Sequence, residues 1–178
     1  MSVDRFTNFR EKYKTDKQVV IVLSGISGSG KSTLAKQLAE LEPATAVISA
    51  DDFFMEEGFY RFNPKKLGDA HAQCLRDFTE YLLQGGMHLI VVDNTNTTNW
   101  ERAPYMALGM AYGYATWLVL VEEDAATAYA RNVHAVPRAA VEGMLARMEE
   151  EEPPRNWQCQ TLLDGMTAKD LLTTIKAV

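Results

Sequence analysis

Eight residues, Gly25-Ile26-Ser27-Gly28-Ser29-Gly30-Lys31-Ser32, spell G-x-x-x-x-G-K-S. That pattern suits a chain of phosphates. Its glycines let the backbone wrap so that successive N–H groups point inward. A helix opening near Lys31 would add its positive end. Lys31 brings a cation to the β and γ phosphates, and the Ser32 hydroxyl is a natural Mg²⁺ ligand. The expected nucleotide-holding set is Gly25, Ser27, Gly28, Ser29, Gly30, Lys31, Ser32 and Thr33, with Mg²⁺ as the expected metal.

A phosphate loop does not by itself choose between hydrolysis, switching and phosphoryl transfer. A hydrolytic motor usually has a glutamate beside the aspartate ending its third strand; here the chain reads Val91-Val92-Asp93-Asn94. A guanine-specific switch would carry N-K-x-D, which is absent. A transferase needs a carboxylate to take a proton from a substrate hydroxyl. Asp51 and Asp52 stand just past a short strand and suit that role, although an Asp-Asp pair also serves as a solvated turn or cap. Asp93 is expected to hold Mg²⁺ with Ser32 or to orient the acceptor. Asn94, Thr95 and Asn96 offer neutral hydrogen bonds to a hydroxyl or a base edge, or form an ordinary asparagine-rich turn. Arg131 follows the fourth strand, where small kinases often carry a lid whose arginine neutralises charge on the transferred phosphoryl. Arg138 and Arg147 are alternatives. His71 lies on the apolar face of its helix, as core histidines do.

These residues need a scaffold. Val19 to Ser24 is a continuous apolar run, as in a strand buried on both faces. A helix from about Lys31 to Glu40 should follow, closed by Pro43, and then a strand over Ala46–Ser49. Residues 53–66 lack a clear period and read as an aromatic-rich loop. A helix from about Pro64 to Gln84 would bury Leu67, Cys74, Leu75, Phe78 and Leu82, ending at Gly85-Gly86. Leu89–Val92 is a third strand and Asn94–Asn99 a polar loop. Pro104 is expected in the first turn of a helix reaching Tyr112. A strand over Ala115–Val121, helices over Asp124–His134 and Pro137–Glu150, a short strand over Gln158–Leu163 and a helix over Ala168–Ala177 complete the chain. Such alternation predicts an α/β fold of the P-loop NTPase type: a parallel sheet of four or five strands, helices on both faces and a helical lid. Residues 1–17 read as an N-terminal arm, 18–178 as one kinase domain, and about 123–150 as the lid. Ligands in such sheets bind at the carboxyl ends of the strands.

Ser-Gly-Ser-Gly-Lys-Ser-Thr, Ile-Ser-Ala-Asp51-Asp52-Phe-Phe, Val-Val-Asp93-Asn94-Thr95-Asn96 and Ala-Arg131-Asn132-Val-His134-Ala-Val-Pro137 occur in that order. Together they resemble the P-loop kinase domain of the polynucleotide kinase family, over about Gln18 to Glu150. The resemblance implies ATP- and Mg²⁺-dependent phosphorylation of a nucleic-acid 5′-hydroxyl. It implies Asp51 as general base, Arg131 as the phosphate-clamping arginine, and Asp93 as the third-strand carboxylate, with Asn94 the alternative alignment. Asp52, Phe54, Asp93, Asn94 and Asn96 are the expected acceptor contacts. One departure stands out: phage-type members carry a phosphate-gripping arginine where this chain has Phe54. No phosphatase or ligase domain is present, which weighs against end healing in the usual sense. Stand-alone relatives that phosphorylate hydroxymethyl groups on modified bases give an alternative, and a sugar or nucleoside kinase another. Phe53, Phe54, Phe59, Tyr60 and Phe62 could stack a base or form a small satellite core.

Composition narrows the partners. Eighteen lysines and arginines face 24 aspartates and glutamates, a net charge of −6 in 178 residues. That excludes bulk electrostatic binding of nucleic acid and leaves a short footprint, gripped locally by Arg61, Lys65 and Lys66. Two cysteines and three histidines argue against a zinc site or a disulfide framework and favour a cytoplasmic setting. No apolar run approaches a membrane span. Nothing in the pattern predicts an oligomeric state.

Overall fold

The computed structural model describes residues 17–134 and 136–178; most of the expected N-terminal arm lies outside them. Strand β1 (Val19–Ser24) is buried along its whole length. It pairs in parallel with β5 (Leu89–Val92) on one side and β6 (Ala115–Leu120) on the other. β2 (Thr45–Ile48) joins the outer side of β5, and β7 (Gln158–Thr161) the outer side of β6, again in parallel. The order is therefore β2-β5-β1-β6-β7.

Side-chain alternation along β1 divides the core in two. Val19, Ile21 and Leu23 pack with Leu34 and Leu38 of α1 (Lys31–Leu41) and with Leu171 and Ile175 of α6 (Ala168–Lys176). Val20 and Val22 face the opposite layer, made by α2 (Leu67–Gln84) and α3 (Asn99–Ala111). In α2 the buried stripe is Ala70, Cys74, Phe78 and Leu82, four residues apart. Leu67 is 41% exposed, because a 3₁₀ turn over Pro64–Lys66 absorbs the predicted first turn and leaves Leu67 at the helix mouth. His71 is half-buried beside that stripe.

Two further elements depart from expectation. The residues read as an aromatic loop contain a 3₁₀ turn (Ala50–Phe54) and a two-stranded antiparallel hairpin, β3 (Met55–Glu56) and β4 (Phe59–Tyr60). Its Glu57-Gly58 turn has both residues at positive φ, 52° and 84°, the geometry that a tight hairpin demands. Helix α3 begins well before Pro104, which sits inside it. Thr98 caps the helix and accepts from the Glu101 N–H, while the Glu101 carboxylate accepts from the Thr98 N–H, a reciprocal box that fixes the start.

After β6 the chain forms α4 (Ala125–Ala130), shorter than predicted, and α5 (Arg138–Glu149). Ala128 and Val141 bury Ile26 of the phosphate loop between them, with Met144, Leu145 and Met148 packed around. The segment expected as a lid is thereby seated on the phosphate loop. Three glutamates, Glu150 to Glu152, follow α5 and turn back to α3, where the Asn99 amide donates to the carbonyl of Glu152 at 2.8 Å.

Candidate active site

The turn from β1 into α1 is shaped by glycine. Gly28 (φ 86°) and Gly30 (φ 98°) take left-handed conformations, and a Cβ on Gly28 would overlap the carbonyl oxygen of Ala128. Lys31 is 7% exposed and folds back, its Nζ donating to the Ile26 carbonyl at 2.7 Å and to Ser29 Oγ at 3.4 Å. Burial lowers its pKa to about 8, against the pull of Asp93 and Asp51. Burial likewise raises the Asp93 carboxyl, countered by hydrogen bonding with Ser32 and by the charge of Lys31. Ser32 and Asp93 thus present hard oxygen donors side by side, a donor set that fits Mg²⁺.

Lys31, Ser32, Thr33, Asp51, Asp93 and Arg131 line one cavity of about 230 Å³, walled also by Ser27, Gly28, Gly30, Thr95 and His134. Gly25 and Ser29 are buried and do not line it. The cavity opens at the carboxyl ends of the strands, where parallel sheets bind ligands. A larger cavity of about 780 Å³ lies between the ends of β6 and β7 and helix α5, rimmed by Glu122, Glu149, Glu151 and Asp164. That carboxylate rim would repel a phosphate chain, so the lysine-bearing cavity is the candidate site.

The paired aspartates separate. Asp51 faces the lysine-bearing cavity, whereas Asp52 lines a different groove with Asp77 and Glu80. Burial raises the Asp52 carboxyl, and the charges of Asp51 and Asp77 add to the shift, although a backbone hydrogen bond at Ser49 opposes it. Among the three arginines, Arg131 reaches the cavity rim, held by Glu123 at 2.7 Å. Arg138 pairs with Glu142 along its own exposed helix face, and Arg147 turns to Thr97 Oγ at 3.3 Å.

Three expected acceptor contacts are structural. Phe54 is 3% exposed, a core residue with Phe53 and Phe62 packed edge-on against it, so no substrate ring can stack on it. The Asn96 amide donates to the Leu23 carbonyl at 2.8 Å and is buried, locking its loop to β1. The Asn94 carbonyl oxygen accepts from the Ala50 N–H at 2.8 Å, and its amide donates to Cys74 Sγ at 3.3 Å. Asn94 borders the cavity, but its side chain is spent bracing the turn that carries Asp51.

Residues with no such role expected from the sequence complete the site. Arg102 is 1% exposed and donates to the carbonyls of Asn96 and Thr97 and to Ser24 Oγ, tying the end of β5 to the end of β1. Its signal was present: Arg102, Tyr105, Met106 and Gly109 form the buried face of α3 at helical spacing. Tyr60 and His134 flank Asp51, one by a hydrogen bond of 2.7 Å and the other with Nε2 at 3.9 Å. No spacing rule marks either.

A family model described as an AAA domain matches residues 20–151 of this chain. The chain is similar to human NEDD4-binding protein 2, 34% identical over 134 residues, covering 71% of this chain and 7% of that protein. It is similar to human nicotinamide riboside kinase 1 at 51% over 41 residues, covering 23% of this chain and 21% of that one. The chain thus spans a small part of the curated relatives it matches. Among solved structures, Chaetomium thermophilum Kti12 in complex with ADP-AlF3 superposes with a TM-score of 0.64 at 16% identity, over 89% of this chain and 96% of that one. A chain of the Pnkp1/Rnl/Hen1 RNA repair complex gives 0.62 at 16%, over 79% and 47%. The fold is that of a P-loop kinase-like domain.

Proposed function

We propose, because this chain belongs to the AAA domain family, that its P-loop kinase-like fold works as an ATP-dependent phosphotransferase acting on a hydroxyl of nucleic acid, foremost a polynucleotide 5′-hydroxyl. The observation that carries the reading is the convergence of Lys31, Asp51, Asp93 and Arg131 on one cavity, with Asp51 and not Asp52 turned inward.

The acceptor oxygen attacks the γ-phosphorus as the bond to the β–γ bridging oxygen breaks. ADP leaves, and the acceptor proton passes to the Asp51 carboxylate. The backbone N–H groups of the glycine turn and Lys31 hold the phosphates, and Arg131, swung from Glu123, meets the charge that develops on the phosphoryl group. Ser32 and Asp93 would hold Mg²⁺, which when bound neutralises the outer phosphates.

Support for a nucleic-acid acceptor comes from the ordered motifs, from the likeness to an RNA repair chain and from exposed aromatics near Asp51. Phe59 and Phe62, 68% and 52% exposed, take over the stacking role that buried Phe54 cannot fill. Arg61, Lys65 and Lys66 lie on the exposed stretch 61–66, fit for a short single-stranded footprint. A hydroxymethyl group on a modified pyrimidine would satisfy the same geometry, since Phe54 replaces the expected phosphate grip. A sugar or nucleoside acceptor is the second reading, favoured by the net charge of −6 and the likeness to nicotinamide riboside kinase 1. No helix among the described residues is long and apolar enough to cross a membrane, and the proposed setting is cytoplasmic.

The test is competition for labelled γ-phosphate among a 5′-hydroxyl oligonucleotide, an oligonucleotide bearing a hydroxymethyl pyrimidine, and the matching free nucleosides. The highest kcat/KM on an oligonucleotide is expected. The highest on a free nucleoside replaces this reading with the small-molecule one.

A further inference from the structure

Asp51 sits on a surface turn with its side chain 52% exposed, and a carboxylate so placed has two torsions free to wander. A proton acceptor in a transfer reaction has to present one oxygen at a defined point, because a misplacement of about 1 Å can cost as much as 10²-fold in rate. The 3₁₀ turn fixes the Asp51 backbone through Ser49 and Asn94, but neither touches the carboxylate. Another group has to hold it.

Tyr60 makes that contact. Its hydroxyl donates to Asp51 Oδ1 at 2.7 Å. Burial raises the phenol, and the hydrogen bond to Asp51 raises it further, so Tyr60 stays a donor across neutral pH. The ring is itself pinned. It packs edge-on against buried Phe54 at 6.1 Å and lies parallel to Phe62 at 6.4 Å with an interplanar angle of 12°. The His134 ring covers it at 4.5 Å. Oδ2 accepts no hydrogen bond among the described residues and lies 3.9 Å from His134 Nε2, with Asp51 and His134 both lining the phosphate cavity.

We infer that Tyr60 is the positioning residue for Asp51: its hydroxyl engages Oδ1 so that Oδ2 alone faces the cavity to accept the acceptor's proton. The inference rests on Asp51 as the general base. It gives the hairpin β3–β4 a part in the reaction beyond forming a surface for the acceptor. The buried Phe54, which fills the position of the expected phosphate-gripping arginine, becomes the footing of the phenol.

Tyr60→Phe keeps the ring and every aromatic contact and removes only the hydroxyl. It is compared with Asp51→Asn and with the double variant. Transfer from ATP is followed to a 5′-hydroxyl single-stranded oligonucleotide and, without it, to water as phosphate release. Tyr60→Phe is expected to lower kcat about tenfold, with the KM for ATP and the thermal midpoint unchanged. In the Asp51→Asn background it is expected to cost nothing further, since the carboxylate it orients is gone. An unchanged kcat in Tyr60→Phe, or an equal loss in both backgrounds, overturns the inference and leaves the base assignment standing. Wild-type turnover in Asp51→Asn removes the base assignment itself, and this inference with it, as does a wild-type chain that transfers phosphate to neither acceptor.

Discussion

Replacing Arg102 by methionine tests how the site is braced. The guanidinium is buried and faces no carboxylate within ion-pair distance among the described residues; its bonds go to neutral oxygens. Methionine fills similar space and removes every donor. The Asn96 carbonyl would keep the Ser24 hydroxyl, which donates to it at 2.8 Å. Half-buried Asn99 can turn to water. The Thr97 carbonyl, bonded to Arg102 at 3.0 Å, is left orphaned. One orphaned buried acceptor costs about 1–3 kcal/mol, and charged hydrogen bonds to the remaining groups contribute about 1.5–3 kcal/mol net. Relief from burying a charge offsets part of that sum, as burial already lowers the pKa of Arg102. A net loss of about 3 kcal/mol remains, which for a chain of this size lowers Tm by roughly 6–12 °C. Scanning calorimetry reads it directly. Nucleotide affinity should fall as well, because Gly25, at the start of the phosphate turn, donates to the Thr95 carbonyl in the loop that Arg102 holds. A variant whose Tm and nucleotide affinity both match the parent would refute the bracing role.

The pH dependence follows from Lys31. Its pKa of about 8, against 10.5 unperturbed, means that the folded chain binds fewer protons between those values, so this group adds stability as pH rises through that window. Nucleotide needs the ammonium and should bind about tenfold more weakly at pH 9 than at pH 7 by calorimetry, a dependence that Lys31→Met should abolish. Asp51→Asn should lower kcat at least about 10²-fold with little change in nucleotide affinity, whereas Asp52→Asn, pointing into another groove, should cost less than about threefold; the reverse order would exchange their roles. Arg131→Lys should fail to restore kcat in steady-state assays, since a point charge lacks the planar fork, and full activity would remove Arg131 from the transition state.

Much of this architecture could be read from residue order, for reasons visible in single elements. Val19–Ser24 has no polar residue before Ser24 and sits between a polar stretch and a glycine turn, so its strand and the turn after it follow from pattern alone. The hairpin β3–β4 escaped because two-residue strands show no period; only the positive-φ turn at Glu57-Gly58 marks them. Asn94 and Asn96 have the chemistry of substrate contacts, and nothing in their spacing says that Ala50 and Leu23 already use their amides. Phe54 posed the same problem: an aromatic side chain can serve a core or a ligand, and burial decides. The start of α3 is legible in Thr98 and Glu101, the capping pair, although Pro104 alone suggests a later one.

The hairpin pairs with no strand of the main sheet. It touches the frame through Phe54, through the hydroxyl of Tyr60 on Asp51, through the His134 ring over Tyr60 at 4.5 Å, and through a backbone bond from Arg61 to Phe54 at 2.8 Å. On the proposed reading, acceptor preference becomes a graft: the tip over residues 56–59 can be exchanged for turns of other length and chemistry. Tyr60 would stay as the graft's one fixed side chain, and the phosphate loop would be left untouched.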